Sequence, residues 1–389
     1  MNYLRRCCAE IDLDCIEKNL TEYKKRLKEP TELLCVVKAC CYGHFDTAVV
    51  PFLEQELGVK WFAVANITEA HRLREMGIKG EILILGWTAP EYADELSKLN
   101  VIQACTELPY AEALSENLSE GMTLRLHCAV DTGMTRIGLT GTAEENARDL
   151  LAISELRGLK LEGIFTHFAV ADSLEEDRVS YTQMQTQRIL DTAKAAEELG
   201  VKLSQVHFSN SAGGLYHTDP RSTLARLGII LYGLYPDPDV ELPFEPEPVM
   251  TLKACVSQIK TISAGTTVSY GRTYKAEKPT KIATVTAGYA DGYPRALSNK
   301  GEVLINGRRC RITGRVCMDQ FMVDVSGAGD VKAGDEAVLI GTQGGERITA
   351  DDIAKLTGTI GYEIVCGISA RVPRVVFRHG KKLDDISLE

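Results

Sequence analysis

The chain has 389 residues, 44% of them hydrophobic and 25% charged, with a formal net charge of -10. That composition describes a globular protein long enough for a large core and argues for two domains. The acidic balance argues against nucleic acid or an anionic membrane as partner, because both reward a basic face, and leaves a small molecule as the expected ligand.

The 12 cysteines are scattered through apolar runs, at Cys35, Cys105, Cys128 and Cys255 among others. In a chain too large to need stapling they read as buried thiols of a reducing compartment. Neither Cys7-Cys8 nor Cys40-Cys41 has zinc-ligand spacing and no CxxC occurs, so no metal is expected. The segment 1–13 carries Arg5, Arg6, Glu10 and Asp12 with no apolar run of the secretory type, and no uncharged stretch approaches the length of a membrane span. The expectation is a cytoplasmic protein.

From about residue 9 to 240, short apolar runs alternate with longer amphipathic ones. Strands are expected at 33–38, 61–65, 82–85, 102–105, 123–130, 163–167, 205–209 and 224–230, with helices between them at 13–28, 46–57, 67–76, 89–99, 144–154 and 180–199. A strand-helix repeat implies a parallel sheet, and eight units in this length match a closed (β/α)8 TIM barrel with its active site at the C-terminal ends of the strands. An open doubly wound sheet is the structural alternative, though no GxGxxG follows the first strand. Near residue 235 the composition turns proline-rich (Pro236, Pro238, Pro243, Pro246, Pro248), which sets the expected division between a barrel at 1–240 and a second domain at 241–389. Beyond it, β-branched runs at 251–262, 280–287, 302–305, 309–312, 321–324 and 336–340, with one helical piece at 349–357, predict a mostly-β domain.

The run Leu33 to His44 ends an apolar strand in Lys38, followed by a Tyr42-Gly43-His44 turn. A lysine between Val37 and Ala39 is partly desolvated, which lowers its pKa and makes its amine a Schiff-base candidate. This segment resembles the lysine motif of the alanine racemase family, whose usual wording is Val-Lys-Ala-Asn-Ala-Tyr-Gly-His; Cys40 and Cys41 replace the asparagine and alanine. Asp131 to Gly138, Gly163 to Ala169, His207 to Ala212, Ala225 to Ile229, Thr267 to Arg272, Gly288 to Arg295, Gly314 to Gln320 and Gly361 to Glu363 are similar to further motifs of that family, in its order.

The resemblance implies an N-terminal (β/α)8 barrel with a C-terminal mostly-β domain, pyridoxal 5'-phosphate carried on Lys38, and racemisation of a small amino acid by two bases. Lys38 would serve one face of the substrate and Tyr270, reaching in from the other subunit of a head-to-tail homodimer, the opposite face. Tyr42, His167, Ser211, Arg226, Gly228, Ile229 and Tyr362 would hold the cofactor, with His167 either stacked on its ring or bonded to the catalytic tyrosine. Arg226 would sit beside the pyridine nitrogen and keep it unprotonated, because a guanidinium only donates. Arg136 and the Met318 amide would hold substrate, and Asp172, Tyr289, Arg295, Arg315 and Ile360 would shape the entrance. Tyr270 would be acidified by Arg136, and by His167 if protonated. In many members a carbamylated lysine orients the arginine; here that position is Ala129, leaving open whether an anion or water fills the gap. The implied product is D-alanine for peptidoglycan. Serine racemases of the vancomycin-resistance type, barrel decarboxylases and non-catalytic binding proteins are the alternatives. Tyr362 and Arg226 stand against the first two, and the second domain against the third.

Overall fold

The computed structural model describes residues 6–383, so the part of the N-terminal segment at residues 1–5 lies outside it. Strand β1 (Cys7–Asp12) comes first, and Asp12 then caps the helix Leu13–Lys24 by accepting the Asp14 N–H. Eight parallel strands come next: β2 (Glu32–Val36), β3 (Trp61–Val64), β4 (Glu81–Ile84), β5 (Ile102–Cys105), β6 (Leu124–Ala129), β7 (Leu159–Phe165), β8 (Gln205–His207) and β9 (Leu224–Leu227). Their runs are short and apolar because helices cover the outside and side chains fill the inside. Each pairs with the next, and β9 returns to lie beside β2. The remaining seam is closed by the Ser209–Ala225 bridge, with Thr223 N–H donating to Val206 O (2.9 Å) and Arg226 N–H to Ser209 O (3.0 Å). The cyclic order excludes the open sheet. Side-chain caps start the helices Ile67–Glu75 (Asn66) and Ala143–Glu155 (Thr142 with Glu145).

The second sheet is built on β10 (Met250–Ile262). Its first half lies between β1 and Glu336–Gln343, and its second half pairs with Thr280–Val285, which in turn pairs with Phe321–Asp324. The opening strand therefore belongs to the second sheet, where it also pairs in parallel with Arg374–Arg378. Sequence patterning predicts no strand there: a single six-residue run carrying Glu10 and Asp12 has no neighbouring turn to mark it as half of a hairpin. The expected helix forms as Ala350–Thr357, but a second one, Gly361–Cys366, comes after it and corrects the expectation of one. Among the described residues no helix is long and apolar enough to cross a membrane.

One place where the second sheet meets the barrel is the loop after Lys38. Arg374, buried, donates from Nε and Nη2 to the carbonyl of Gly43 (both 3.2 Å) and from Nη2 to Ile368 O (2.7 Å). Gly43 has φ +81°, and a Cβ there would stand 2.3 Å from the backbone oxygen of Val365. Gly43→Ala thus combines backbone strain with a backbone clash. We expect it to lower unfolding free energy by about 3 kcal/mol or more in urea titrations, against about 1 kcal/mol for Gly58→Ala, which shares a positive φ (+66°) but meets nothing within 4 Å.

Candidate active site

Lys38 lies just past the end of β2, in a cavity of about 650 Å³ at the C-terminal mouth of the barrel. The backbone course beyond this lysine was not legible in the sequence. Ala39, Cys40, Cys41 and Tyr42 all have φ between 53° and 56°, and Gly43 N–H closes on Ala39 O at 2.9 Å, so the chain makes a left-handed helical turn. For L-residues that hand costs about 1–2 kcal/mol each, and hydrophobic periodicity carries no sign of it. Bonds to neighbouring groups hold the turn: His44 Nδ1–H donates to Cys41 O (3.0 Å) and Tyr42 O (2.9 Å), Arg374 holds Gly43 O, and Glu69 takes the Ala39 N–H. Burial, with help from Arg136, depresses the Lys38 pKa, as expected from its apolar neighbours.

The floor of the cavity is Arg226 on β9. It is 4% exposed, and burial lowers its pKa to about 10, which still leaves it charged at neutral pH. Nη2 donates to Thr166 O (2.7 Å) and to His167 Nδ1 (3.3 Å), and Nη1 to His207 Nδ1 (2.9 Å). Among the described residues Nε has no partner. Because a guanidinium can only donate, His207 carries its proton on Nε2, which donates to His127 Nδ1 at 3.0 Å. This buried chain, Arg226 to His207 to His127, was missed from sequence; its one signal was that Arg125, His127 and Ala129 alternate onto the inner face of β6. His167 is not protonated: burial first, then Arg226, Arg136 and Lys38, lower its pKa to about 3. The condition attached to His167 in the sequence, that it be protonated, is therefore not met.

Opposite Lys38 the cavity is lined by Ser211, Gly228, Ile229, Tyr42 and Tyr362. Gly228 N–H donates to Ser211 Oγ at 2.8 Å, and a Cβ on Gly228 would come within 2.9 Å of Tyr42 Oη. A short turn, Ile229–Tyr232, starts there, and the first amides of such a turn have no partner within it. Small side chains, free amides and two hydroxyls suit a phosphate. Tyr42 and Tyr362 face each other with ring centroids 6.2 Å apart, and burial keeps both phenols protonated.

Arg136 and Asp172 also line the cavity. The loop before Arg136 is tied by Asp131 Oδ1, which accepts from Gly133 N–H (2.9 Å) and Thr135 N–H (3.0 Å). Ala129 packs in a small apolar cluster with Ala104, Phe165 and Leu85, and it also lines the cavity.

The other expected residues gather elsewhere, on the second domain. Tyr270 is 72% exposed and Met318 52%, and neither lines the cavity of this chain. Ser269 Oγ donates to Arg315 O (2.8 Å), the Arg315 guanidinium lies against Gly271, and Tyr289 N–H donates to Cys317 O (3.1 Å). Tyr270, Arg315, Met318 and Tyr289 therefore form one patch. Arg295 and Ile360 are exposed, also outside the cavity.

A closed (β/α)8 barrel with a cavity at the C-terminal mouth of its strands, lined by a desolvated lysine and a buried arginine, has the plan of a barrel enzyme. The comparisons agree. Residues 11–236 match the family described as "Alanine racemase, N-terminal domain" and residues 249–376 "Alanine racemase, C-terminal domain". An alanine racemase of Desulforamulus reducens is 42% identical over 369 residues, covering 94% of this chain and 98% of that protein. The crystal structure of alanine racemase from Bacillus anthracis with bound L-Ala-P superposes with a TM-score of 0.92 at 36% identity, covering 99% of this chain and 98% of that one. A histidine racemase from Leuconostoc mesenteroides superposes at 0.86 with 29% identity, covering 97% and 99%. The chain belongs to the alanine racemase family of enzymes.

The buried imidazoles make stability pH-dependent. His44 and His127 are fully buried, and burial lowers the pKa of each to about 4. Between that value and the unfolded value of about 6.5 only the unfolded chain takes up their protons, so this stability is complete above pH 6.5 and is lost as pH falls. Each imidazole should cost about 1.4 kcal/mol per pH unit between pH 6 and 5. Urea midpoints measured across that interval should drop accordingly, and His127→Asn should flatten the slope by one proton's share.

Proposed function

We propose that the chain interconverts L-alanine and D-alanine with pyridoxal 5'-phosphate as cofactor, in a head-to-tail homodimer. The observation that carries this reading is the cavity in which the Lys38 amine, the Arg226 guanidinium and the Ser211–Gly228–Ile229 cradle face one another. The residues fit the group: the cradle and the Tyr42 hydroxyl suit its phosphate, the unpartnered Nε–H of Arg226 suits its ring nitrogen, and the depressed pKa of Lys38 suits attachment to its aldehyde. When bound, the cofactor supplies an electron sink for the bond between the substrate's Cα and its hydrogen.

The chain's own residues do the rest. Arg226 remains charged and only donates, so it would offer a hydrogen bond and no proton to a ring nitrogen held beside it, which would limit the sink and favour prompt return of a proton to Cα. His167, neutral, is kept in one tautomer by the guanidinium. Lys38, released when substrate takes its place, moves a proton on one face of Cα. Tyr270 of a second copy moves one on the other face. Met318 of that copy would hold the carboxylate through its amide, and Tyr289, Arg295, Arg315 and Ile360 would meet Asp172 at the entrance. The exposure of Tyr270 and Met318 in the single chain supports their use by a neighbouring copy. The proposed division is residues 1–240 for cofactor binding and 241–389 for the contribution in trans, with β1 lent to the second sheet. D-Alanine for peptidoglycan, made in the cytoplasm, is the corresponding role.

Lys38→Ala should lose the visible absorbance of the holoenzyme, and a retained band would exclude Lys38 as the anchor. Tyr270→Phe should slow solvent-proton exchange from L-alanine more than from D-alanine. Each variant alone should be inactive in racemisation; mixing them should restore activity, since only hybrid dimers join an intact Lys38 to an intact Tyr270. No restoration would mean that both groups act within one chain.

In this reading substrate choice rests on Tyr362, which lines the cavity beside Tyr42 and whose phenol would crowd a hydroxymethyl more than a methyl. L-Alanine should be racemised at least about tenfold faster than L-serine, a difference the burial of small groups can supply, and Tyr362→Asn should narrow that ratio. Native preference for serine would favour the serine racemase reading.

A further inference from the structure

The amide next to Lys38 on its C-terminal side is held by a side chain from another part of the barrel. Ala39 N–H donates to one carboxylate oxygen of Glu69 at 2.8 Å, and Ala65 N–H, just beyond β3, donates to the other at 2.7 Å. Glu69 is the third residue of the helix Ile67–Glu75, and its own N–H donates to Asn66 Oδ1 at 2.9 Å, so the cap that starts the helix also places the carboxylate. A glutamate at this position commonly turns back to the amide of the cap residue. Here it reaches one residue further back, to Ala65, and its second oxygen spans to the Lys38 turn.

That turn needs holding. Four successive L-residues in the left-handed region persist only where their surroundings over-determine them. The far end is tied by Arg374 to Gly43 O and by His44; the near end, next to the amine, has Glu69. Resting on the reading of Lys38 given above, we infer that Glu69 is the positioning residue for Lys38, its carboxylate bridging the Ala39 and Ala65 amides so that the turn delivers the amine to one point of the cavity. The charge of Glu69 also acts on the amine. Four groups bear on Lys38 across the cavity: Arg136 and Arg226 disfavour its ammonium form, while Glu69 and the Cys366 thiol favour it. Glu69 is the only carboxylate among the four.

The test uses the full chain carrying Glu69→Gln, which removes the anion and turns an NH2 group toward one of the two amides, with Glu69→Asp as a second variant that keeps the charge on a shorter stem. Two readouts are taken. In the chain stripped of cofactor, the pH at which Lys38 is half-reactive toward reductive methylation, read by peptide mass spectrometry, should fall by about half a unit or more in Glu69→Gln and stay near native in Glu69→Asp. In the holoenzyme, the primary deuterium isotope effect should rise about 1.5-fold or more with α-deuterated D-alanine, the enantiomer left to Lys38, relative to L-alanine, in both variants. This ratio does not depend on how much of the variant folds. An unmoved methylation midpoint, or isotope effects that keep their native ratio, overturns the inference. If instead Lys38→Ala keeps its visible band, it is the reading of Lys38 that fails, whatever Glu69 does.

Discussion

The structure depends on a backbone turn of the wrong hand. Four residues after Lys38 wind left-handed, a conformation each of them resists, and the resistance is overcome by groups from three separate parts of the chain. Glu69 comes from the helix after β3, His44 from the turn's own continuation, and Arg374 from a strand of the second sheet. One consequence is that the barrel's lysine is not placed by the barrel alone. Arg374 lies on the strand that pairs with β1, so a strand near the end of the described chain, held beside the first one, reaches the loop that carries Lys38. A barrel cut free of its second domain would lose the clamp at Gly43.

Around that turn the charges obey one logic. Lys38, Arg136 and Arg226 all line the cavity, while Asp172 is the one carboxylate besides Asp131 among its lining residues, and the Asp131 carboxylate is engaged by the amides of its own loop. An excess of positive charge with low-dielectric walls suits ligands that carry phosphate and carboxylate groups. The two cations deepest in the site are kept usable by different means. Lys38 is desolvated, so its ammonium form is disfavoured; the two terminal nitrogens of Arg226 donate to carbonyls and imidazoles, and its charge survives burial. His167, His207 and His127 remain neutral chiefly because burial disfavours the imidazolium, and the charge of Arg226 adds to this at His167 and His207.

Much of this was legible in the residues. The eight strands were read in order because a parallel barrel makes each strand a short apolar run bounded by polar turns, and that pattern survives in one dimension. Lys38, Arg136, His167, Ser211, Arg226 and Tyr362 were named from local wording, and one cavity contains them all. Other features left no local mark. β1 is a strand only because β10 and Arg374–Arg378, far along the chain, flank it. Glu69 looked like any first-turn glutamate of an amphipathic helix, and what distinguishes it is a bond across 30 residues. The protonation of His167 was left open for a related reason: the sequence places it near cations but does not say how deeply it is buried.

From its residues alone, the protein's class, its barrel and its mostly-β partner domain were determined, because periodicity and short motifs are properties of neighbours in the chain. The tertiary structure alone decided the left-handed course after Lys38, the carboxylate and guanidinium that hold it, the neutral state of the imidazoles and the separation of Tyr270 from the cavity. Those depend on burial and on contacts between residues distant in sequence, and the free energies that settle them come from groups no local pattern can bring together.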